Sequence, residues 1–378
     1  MRLLLLLTLA LAPALVCAQY PQLPVPPAPQ LAAKSFLLFA FQSNQVIAGH
    51  SPDERMEPAS LTKLMTAYLT FAALKEKRIA LTQTLPVSER AWRAEGSRMF
   101  IEPRKPVTVD ELIHGVIIQS GNDACIALAE GIAGSEESFA QMMNREAQRL
   151  GLKNTRFENS TGLPHAQHYS TARDLALLAA AVVRDFPEYY AMYSQKGYRY
   201  NNILQANRNR LLWSDPTVDG MKTGYTEHAG YCLISSAKRN DRRLISVVLG
   251  TASESVRASE SQKLLNYGFQ FYDDVRLYEK GQALANLPVW KGEANSVKAG
   301  FTGDYYVTLP KGYRERLKAS LESQQPLLAP VSAGARVGTM KLTLDGKAYG
   351  EVPVVALDSV APGNIFARGW DTLRLLFK

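Results

Sequence analysis

The chain has 378 residues at 46% hydrophobic, 21% charged and 9% aromatic composition, which excludes collagen-like, coiled-coil and low-complexity classes. At roughly 100 to 200 residues per domain, that length predicts two domains with substantial cores. Lys and Arg number 43 against 35 Asp and Glu, a formal charge of +8; the surplus suits an anionic surface, but no base-reading motif accompanies it, so nucleic acid is not an expected partner.

Arg2 followed by the apolar stretch Leu3 to Val16, and then Val16-Cys17-Ala18, reads as a signal peptide over residues 1–18, cleaved after Ala18. Cys17 does not make a lipobox, because Val16 stands where such a box carries Gly, Ala or Ser. An exported chain is expected. Residues 19–33 hold Pro21, Pro24, Pro26, Pro27 and Pro29 and read as a tether with neither helix nor central strand. The remaining cysteines, Cys125 and Cys232, sit in apolar contexts and read as two buried free thiols rather than a disulfide scaffold. Beyond the leader, no apolar run approaches the ~20 residues that span a bilayer.

Residues 34–272 carry alternating strand and helix signals. Ser35 to Gln42, a Ser43-Asn44 turn and Gln45 to Gly49 predict a hairpin. Leu61, Leu64, Met65, Tyr68 and Leu69 predict a helix, as do the helical pattern from Thr108 to Gly151 and the stretch Thr171 to Arg184. Tyr231 to Ala237 and Arg243 to Leu249 read as strands, followed by a helix from Ser255 to Gly268. Helices flanking an antiparallel sheet are the predicted architecture. Residues 273–361 shift to short strands and turns, clearest where Met340, Leu342 and Leu344 alternate with Lys341 and Thr343 before an Asp345-Gly346 turn, which predicts an all-β domain. Residues 362–378 form an amphipathic segment. At 100° per residue Ile365, Phe366, Trp370, Leu373, Leu376 and Phe377 share one face, with Arg368, Asp371, Arg374 and Lys378 on the other. This predicts a helix anchored in an anionic membrane surface; the plainer alternative is packing on the β domain.

Chemistry concentrates in three short patterns. In Ser60-Leu61-Thr62-Lys63 an ammonium three residues on can reach the serine hydroxyl, and a lysine of lowered pKa can take its proton. Alone, the pattern reads as a helix cap and a surface lysine. Ser120-Gly121-Asn122 falls at a junction between helical stretches and offers a hydroxyl for proton relay and an amide for a peptide group. Lys222-Thr223-Gly224 follows an Asp219-Gly220 turn and precedes a strand; Lys and Thr can grip a carboxylate, while Gly224 admits close backbone approach.

The three motifs, in this order and about 60 and about 100 residues apart, resemble the low-molecular-mass penicillin-binding proteins, specifically the serine-type D-alanyl-D-alanine carboxypeptidases. The resemblance extends over Gln119 to Ala124, Val218 to Gly224, the β-rich domain and the terminal helix. It implies an α/β (α+β) domain of the penicillin-binding and serine β-lactamase type, followed by the all-β domain and the amphipathic helix. It also implies a function: removal of the terminal D-alanine from peptidoglycan stem pentapeptides, with Ser60 as nucleophile, Lys63 as base, and Ser120 with Lys222 as proton relay. Asn122 would bond the substrate amide, Thr223 and Arg208 the terminal carboxylate, with Arg257 assisting. Backbone N–H groups of Ser60 and Tyr225 would form the oxyanion hole, although several relatives carry His at the Tyr225 position. The implied partners are a stem peptide ending in D-Ala-D-Ala, β-lactam inhibitors and the anionic inner-membrane surface, at the periplasmic face. No cofactor or metal is expected.

Other candidates read as structural. His165 and His168 lie in a Gly-Leu-Pro loop without a third ligand and read as two exposed loop histidines. His50, His114 and His228 show no nucleophile-base spacing. Tyr189, Tyr190, Tyr193, Tyr198 and Tyr200 read as packing beneath a loop rather than as a sugar-stacking surface. The competing functions are a serine β-lactamase, for which Glu158-Asn159 does not supply the expected deacylating spacing, and a non-catalytic peptidoglycan-binding protein, which would not be expected to keep Ser60 and Lys63.

Overall fold

The computed structural model describes residues 25–375. The leader, the tether up to Pro24, and Leu376 and Phe377 lie outside the described residues. The chain divides into two compact units, one of residues 26–275 with 306–309, the other of residues 276–305 and those from 310 onward.

The larger unit is built on a five-stranded antiparallel sheet of β1 (Ser35–Ala40), β2 (Gln45–His50), β3 (Val218–Thr226), β4 (Gly230–Arg239) and β5 (Arg242–Thr251), in the order β2-β1-β5-β4-β3. All six residues of β1 are buried, so both faces of the sheet are covered. Successive side chains on a strand point to opposite faces. Leu37 and Phe39 therefore enter one apolar layer, while Phe36, Leu38 and Ala40 enter the other. The first layer is filled by α1 (Lys63–Lys75), α2 (Val109–His114), α3 (Asn122–Ala133), α4 (Glu136–Arg149) and α5 (Ala172–Asp185). The second is closed by α6 (Glu254–Phe271), through Leu264, Leu265 and Phe269. Four of these six helices are capped by a side chain; Thr108, Ser135, Thr171 and Ser253 each accept an N–H from the first turn, satisfying donors that the helix leaves open.

The predicted helical run from Thr108 to Gly151 breaks at Ser120-Gly121-Asn122, where a junction is expected. After α2 the chain makes a π-helical turn over Gly115–Gln119, and Ser120 adopts a left-handed backbone (φ 65°) before α3 begins. That break lifts Ser120 and Asn122 out of a continuous helix and aims them together. A Cβ at Gly115 would lie 2.2 Å from Met99 Sδ, so a side chain there would force the buried Met99 to shift.

The described part of the proline-rich stretch has no helix or strand, as the prolines require, but it is not a free tether. Ala28, Leu31 and Ala33 pack against the second apolar layer, and Tyr267 Oη donates to the Pro26 carbonyl at 2.9 Å. Prolines reduce the entropy lost on ordering, so a few contacts suffice to hold the segment down.

In the smaller unit a six-stranded sheet contains Leu317–Ser323, Arg336–Leu344, Lys347–Ala356, Ser296–Gly300, Ala283–Trp290 and Leu327–Leu328 in that spatial order. Met340, Leu342 and Leu344 are buried, and Asp345 and Gly346 (φ 51° and 77°) form the two-residue turn predicted for them. The terminal helix α7 (Ile365–Leu375) turns Asp371 to the Lys291 N–H (2.6 Å) and Arg374 over the Trp290 ring (5.5 Å). Its polar side is thus partly occupied by protein.

Candidate active site

Ser60 lies in a 3₁₀ turn, Ala59–Thr62, that feeds directly into α1, so Lys63 is the first residue of the helix. The serine is half-buried, whereas Lys63 is 1% exposed. Lys63 Nζ reaches three acceptors: Ser60 Oγ at 3.0 Å, Asn122 Oδ1 at 2.7 Å and the Thr161 carbonyl at 2.6 Å. Burial disfavours its charged form, and the nearby Arg208 guanidinium adds to the effect. Against the partial opposition of Cys125, Asp123 and Glu136, they bring its pKa down to about 8.

The turn that presents Ser60 is strained and braced. Ala59 has a left-handed backbone (φ 47°), which costs about 1–3 kcal/mol in a residue other than glycine. Gly162 packs on it so closely that a Cβ would stand 1.8 Å from the Ala59 carbonyl oxygen. Gly224 faces the same turn, where an added Cβ would lie 3.2 Å from the Pro58 carbonyl oxygen. What its missing side chain admits is therefore the nucleophile turn itself.

The second and third motifs converge on this pair. Lys222 Nζ donates to Ser120 Oγ at 2.9 Å, and Lys222, buried to 3% exposure, is held well below its ordinary pKa by desolvation and by the neighbouring Lys63 and Arg208 charges. Lys222, Thr223 and Gly224 run along β3, an edge of the sheet. Below them Asp219 accepts both Arg243 guanidinium nitrogens at 2.7 Å and the Tyr190 hydroxyl at 2.7 Å, which fixes the start of that strand. A cleft of about 500 Å³ opens over this arrangement, lined by Ser60, Ser120, Asn122, Arg208, Thr223 and Arg257 among others. Gly224 and Tyr225 also line it; the Tyr225 ring is half exposed, with its centroid 4.3 Å from that of Tyr231.

The two predicted arginines differ. Arg208 is carried between Asn207 and Asn209, buried amides that donate to the Gln195 carbonyl (3.0 Å) and the Gly220 carbonyl (2.9 Å), so its loop is pinned on both sides. Arg257, on α6, is buried and donates to the Gly224 carbonyl at 3.3 Å, holding the third motif from behind as well as edging the cleft.

Several residues at the site escaped sequence reading. Asn159 Oδ1 accepts from Thr161 N (3.2 Å) and Gly162 N (2.7 Å), shaping the loop whose Thr161 carbonyl binds Lys63. Glu136 accepts from Ser160 N at 3.0 Å and pairs with Arg90 at 2.7 Å. Asn-Ser-Thr-Gly is a turn signal, but nothing in it marks the contact with Lys63, 98 residues away. His168 corrects an expectation: it is not an exposed loop residue but 3% exposed, with Nε2 2.9 Å from Thr62 Oγ1 and the ring edge-on to Phe157. His165 is exposed. Tyr190, Tyr193 and Tyr200 are buried, Tyr189 stacks on Phe71 and Tyr198 on His114, as packing predicts. Cys125 and Cys232 are buried free thiols.

Comparison with known proteins places these observations in context. Residues 23–253 match the family model described as D-alanyl-D-alanine carboxypeptidase, and residues 272–362 match the penicillin-binding protein 5 C-terminal domain. The chain is 44% identical over 358 residues to D-alanyl-D-alanine carboxypeptidase DacC of Escherichia coli (strain K12), covering 93% of this chain and 90% of that one. It is 41% identical over 356 residues to DacA of Haemophilus influenzae, covering 93% and 91%. The crystal structure of penicillin binding protein 5 from Haemophilus influenzae superposes with a TM-score of 0.85 at 40% identity, covering 89% of this chain and 99% of that one. Penicillin-binding protein D2 from Listeria monocytogenes in its ampicillin-bound form matches with a TM-score of 0.60 at 29% identity, covering 64% and 100%.

Proposed function

The chain belongs to the D-alanyl-D-alanine carboxypeptidase family, and from that premise we propose a residue-by-residue mechanism for cleaving the terminal D-alanine from peptidoglycan stem peptides. The observation that carries it is the 3.0 Å contact between Ser60 Oγ and the desolvated Lys63 amine. With a pKa of about 8, Lys63 is neutral in about a tenth of molecules at pH 7, against well under a thousandth at its ordinary value. In the neutral amine two N–H bonds stay on Asn122 Oδ1 and the Thr161 carbonyl, leaving the lone pair to face the Ser60 hydroxyl. Ser60 gives its proton to Lys63 and attacks the carbonyl between the two D-alanines. Backbone N–H groups of Ser60 and Tyr225 take the developing oxyanion. Ser120, with Lys222 behind it, passes a proton to the leaving amine, and water then releases the acyl group. Thr223 and Arg208 receive the terminal carboxylate, with Arg257 holding the strand in register, and Asn122 bonds the amide of the preceding residue.

β-Lactams acylate Ser60 by the same attack. A β-lactamase is the poorer reading because Glu158 is ion-paired to Arg156 and does not line the cleft. The enzyme is exported. We further propose residues 34–272 as the catalytic domain, 273–361 as the β domain and 362–378 as a peripheral anchor on the periplasmic face of the inner membrane. Among the described residues no helix is long and apolar enough to cross a membrane. Supporting a surface anchor, Ile365 and Phe366 are 82% and 88% exposed, with Trp370 and Leu373 also outward. The function is tested by incubating purified enzyme with a pentapeptide ending in D-Ala-D-Ala: one equivalent of free D-alanine and a tetrapeptide are expected, and an intact pentapeptide would refute the reading.

A further inference from the structure

One cation in the cleft has no part in that chemistry. Arg98 lines the same cavity as Ser60 and Asn122 and is only half-buried. Its segment is fastened to the second motif on both sides. Asn122 Nδ2 donates to the Glu95 carbonyl at 2.6 Å and Asn122 N to the Ser97 carbonyl at 2.7 Å. Beyond Arg98, the Asp123 carboxylate accepts the N–H groups of Met99 (2.9 Å), Phe100 (2.8 Å) and Ile101 (3.2 Å). The Arg98 carbonyl itself accepts from Gln205 Nε2 at 3.3 Å. Arg98 is thus carried on a rigid backbone, and its guanidinium rests 5.3 Å from the centroid of the Phe100 ring, a contact that orients the planar group.

No salt bridge among the described residues engages Arg98. The acid that lines the cleft, Glu254, is taken by Arg210 at 3.0 Å and Arg257 at 3.7 Å. A guanidinium offers five donors in a fork that fits a carboxylate, and Arg98 borders the cleft without an ion-pair partner among the described residues. The terminal carboxylate of the substrate is already assigned to Thr223 and Arg208 on the third motif. Arg98 stands instead with Asn122, where the peptide upstream of the scissile bond must pass.

We propose that Arg98 is a specificity residue, forming a second carboxylate subsite for stem peptides that bear a free side-chain carboxylate on the residue preceding the D-Ala-D-Ala pair. The proposal rests on the carboxypeptidase reading of the site. Its consequence is discrimination: peptides whose corresponding group is amidated or cationic are poorer substrates, and the difference is electrostatic, so it weakens as salt rises.

The test compares Nα-acetyl-L-α-aminoadipyl-D-alanyl-D-alanine with its side-chain carboxamide, which differ only in that charge. Release of D-alanine by the full-length enzyme is followed at low and high ionic strength. The native enzyme is expected to favour the acid about tenfold in kcat/KM at low salt, through KM, with the ratio shrinking at high salt. Arg98→Gln should bring the ratio to about one, and Arg98→Lys should retain part of it. Equal kcat/KM for the two peptides with the native enzyme, or an undiminished ratio in Arg98→Gln, would overturn the subsite while leaving the hydrolase intact. Hydrolysis of neither peptide by the native enzyme would remove the carboxypeptidase reading and this proposal together.

Discussion

Lys63 Nζ stands 3.0 Å from Ser60 Oγ, and the Lys63 side chain is almost wholly shielded from solvent. The contact is local in sequence, but its chemistry is not. Burial beneath the sheet and the Thr161 loop makes the lysine a usable base, and the Arg208 charge assists.

The first prediction is a pH profile. Desolvation places the Lys63 pKa at about 8 rather than 10.5, so the rate of Ser60 acylation should rise roughly tenfold per pH unit below 8 and level off above it. Lys63→Ala should slow acylation by at least ~100-fold and abolish the rise. Lys63→Arg should fail as well, since a guanidinium does not deprotonate. Stopped-flow measurement with a chromogenic cephalosporin from pH 6 to 10 reads all three; a flat native profile would point to another base.

Carboxylate recognition gives a second. Thr223→Val keeps the shape of the buried third-motif residue and deletes its hydroxyl. Turnover of free-acid peptides should drop by about tenfold, with a smaller effect on peptides whose terminus is amidated. Equal losses on both would count against Thr223 as the carboxylate ligand.

His168 supplies a stability prediction. Burial lowers its pKa from 6.5 to about 4, with Nδ1 facing the Glu158 N–H and Nε2 bonded to Thr62. Protonating Nδ1 would set two donors against each other. Because the folded pKa lies below the unfolded one, the unfolded chain binds the extra proton below pH 6.5, and stability is lost as pH falls from 6.5 towards 4, by at most about 3 kcal/mol. His168→Gln should melt with less loss between pH 7 and 4.5 than the native protein does. Identical acid sensitivity in the two would show that other groups set it.

How far these features could be foreseen depends on whether their cause is local. The hairpin at Asp345-Gly346, the helix over Thr171 to Arg184 and the apolar alternation of Met340 to Leu344 follow from backbone preference within a few residues, and the structure has them. The three motifs were readable because each is short. By contrast, the burial of His168 against Thr62 joins residues 106 apart, and the need for glycine at 162 arises from the Ala59 carbonyl. The packing of residues 28–33 on the sheet could not be inferred from proline content, which reports what a segment cannot form and not what it rests on.

The terminal helix gives a fourth prediction. With Ile365, Phe366, Trp370 and Leu373 exposed, deletion of residues 365–378 should release soluble enzyme that still hydrolyses a soluble peptide. Vesicles containing anionic lipid should float the intact chain and not the truncated one. Equal flotation of both forms would remove the anchor assignment.

The central claim is that Ser60 is the nucleophile, and trapping its acyl-enzyme tests it most directly. Purified native protein is incubated with benzylpenicillin, quenched, weighed intact and mapped by peptide mass spectrometry. One penicilloyl group per chain on the peptide containing Ser60 is predicted, with none in Ser60→Ala; a label on another residue, or one that persists in Ser60→Ala, would contradict it.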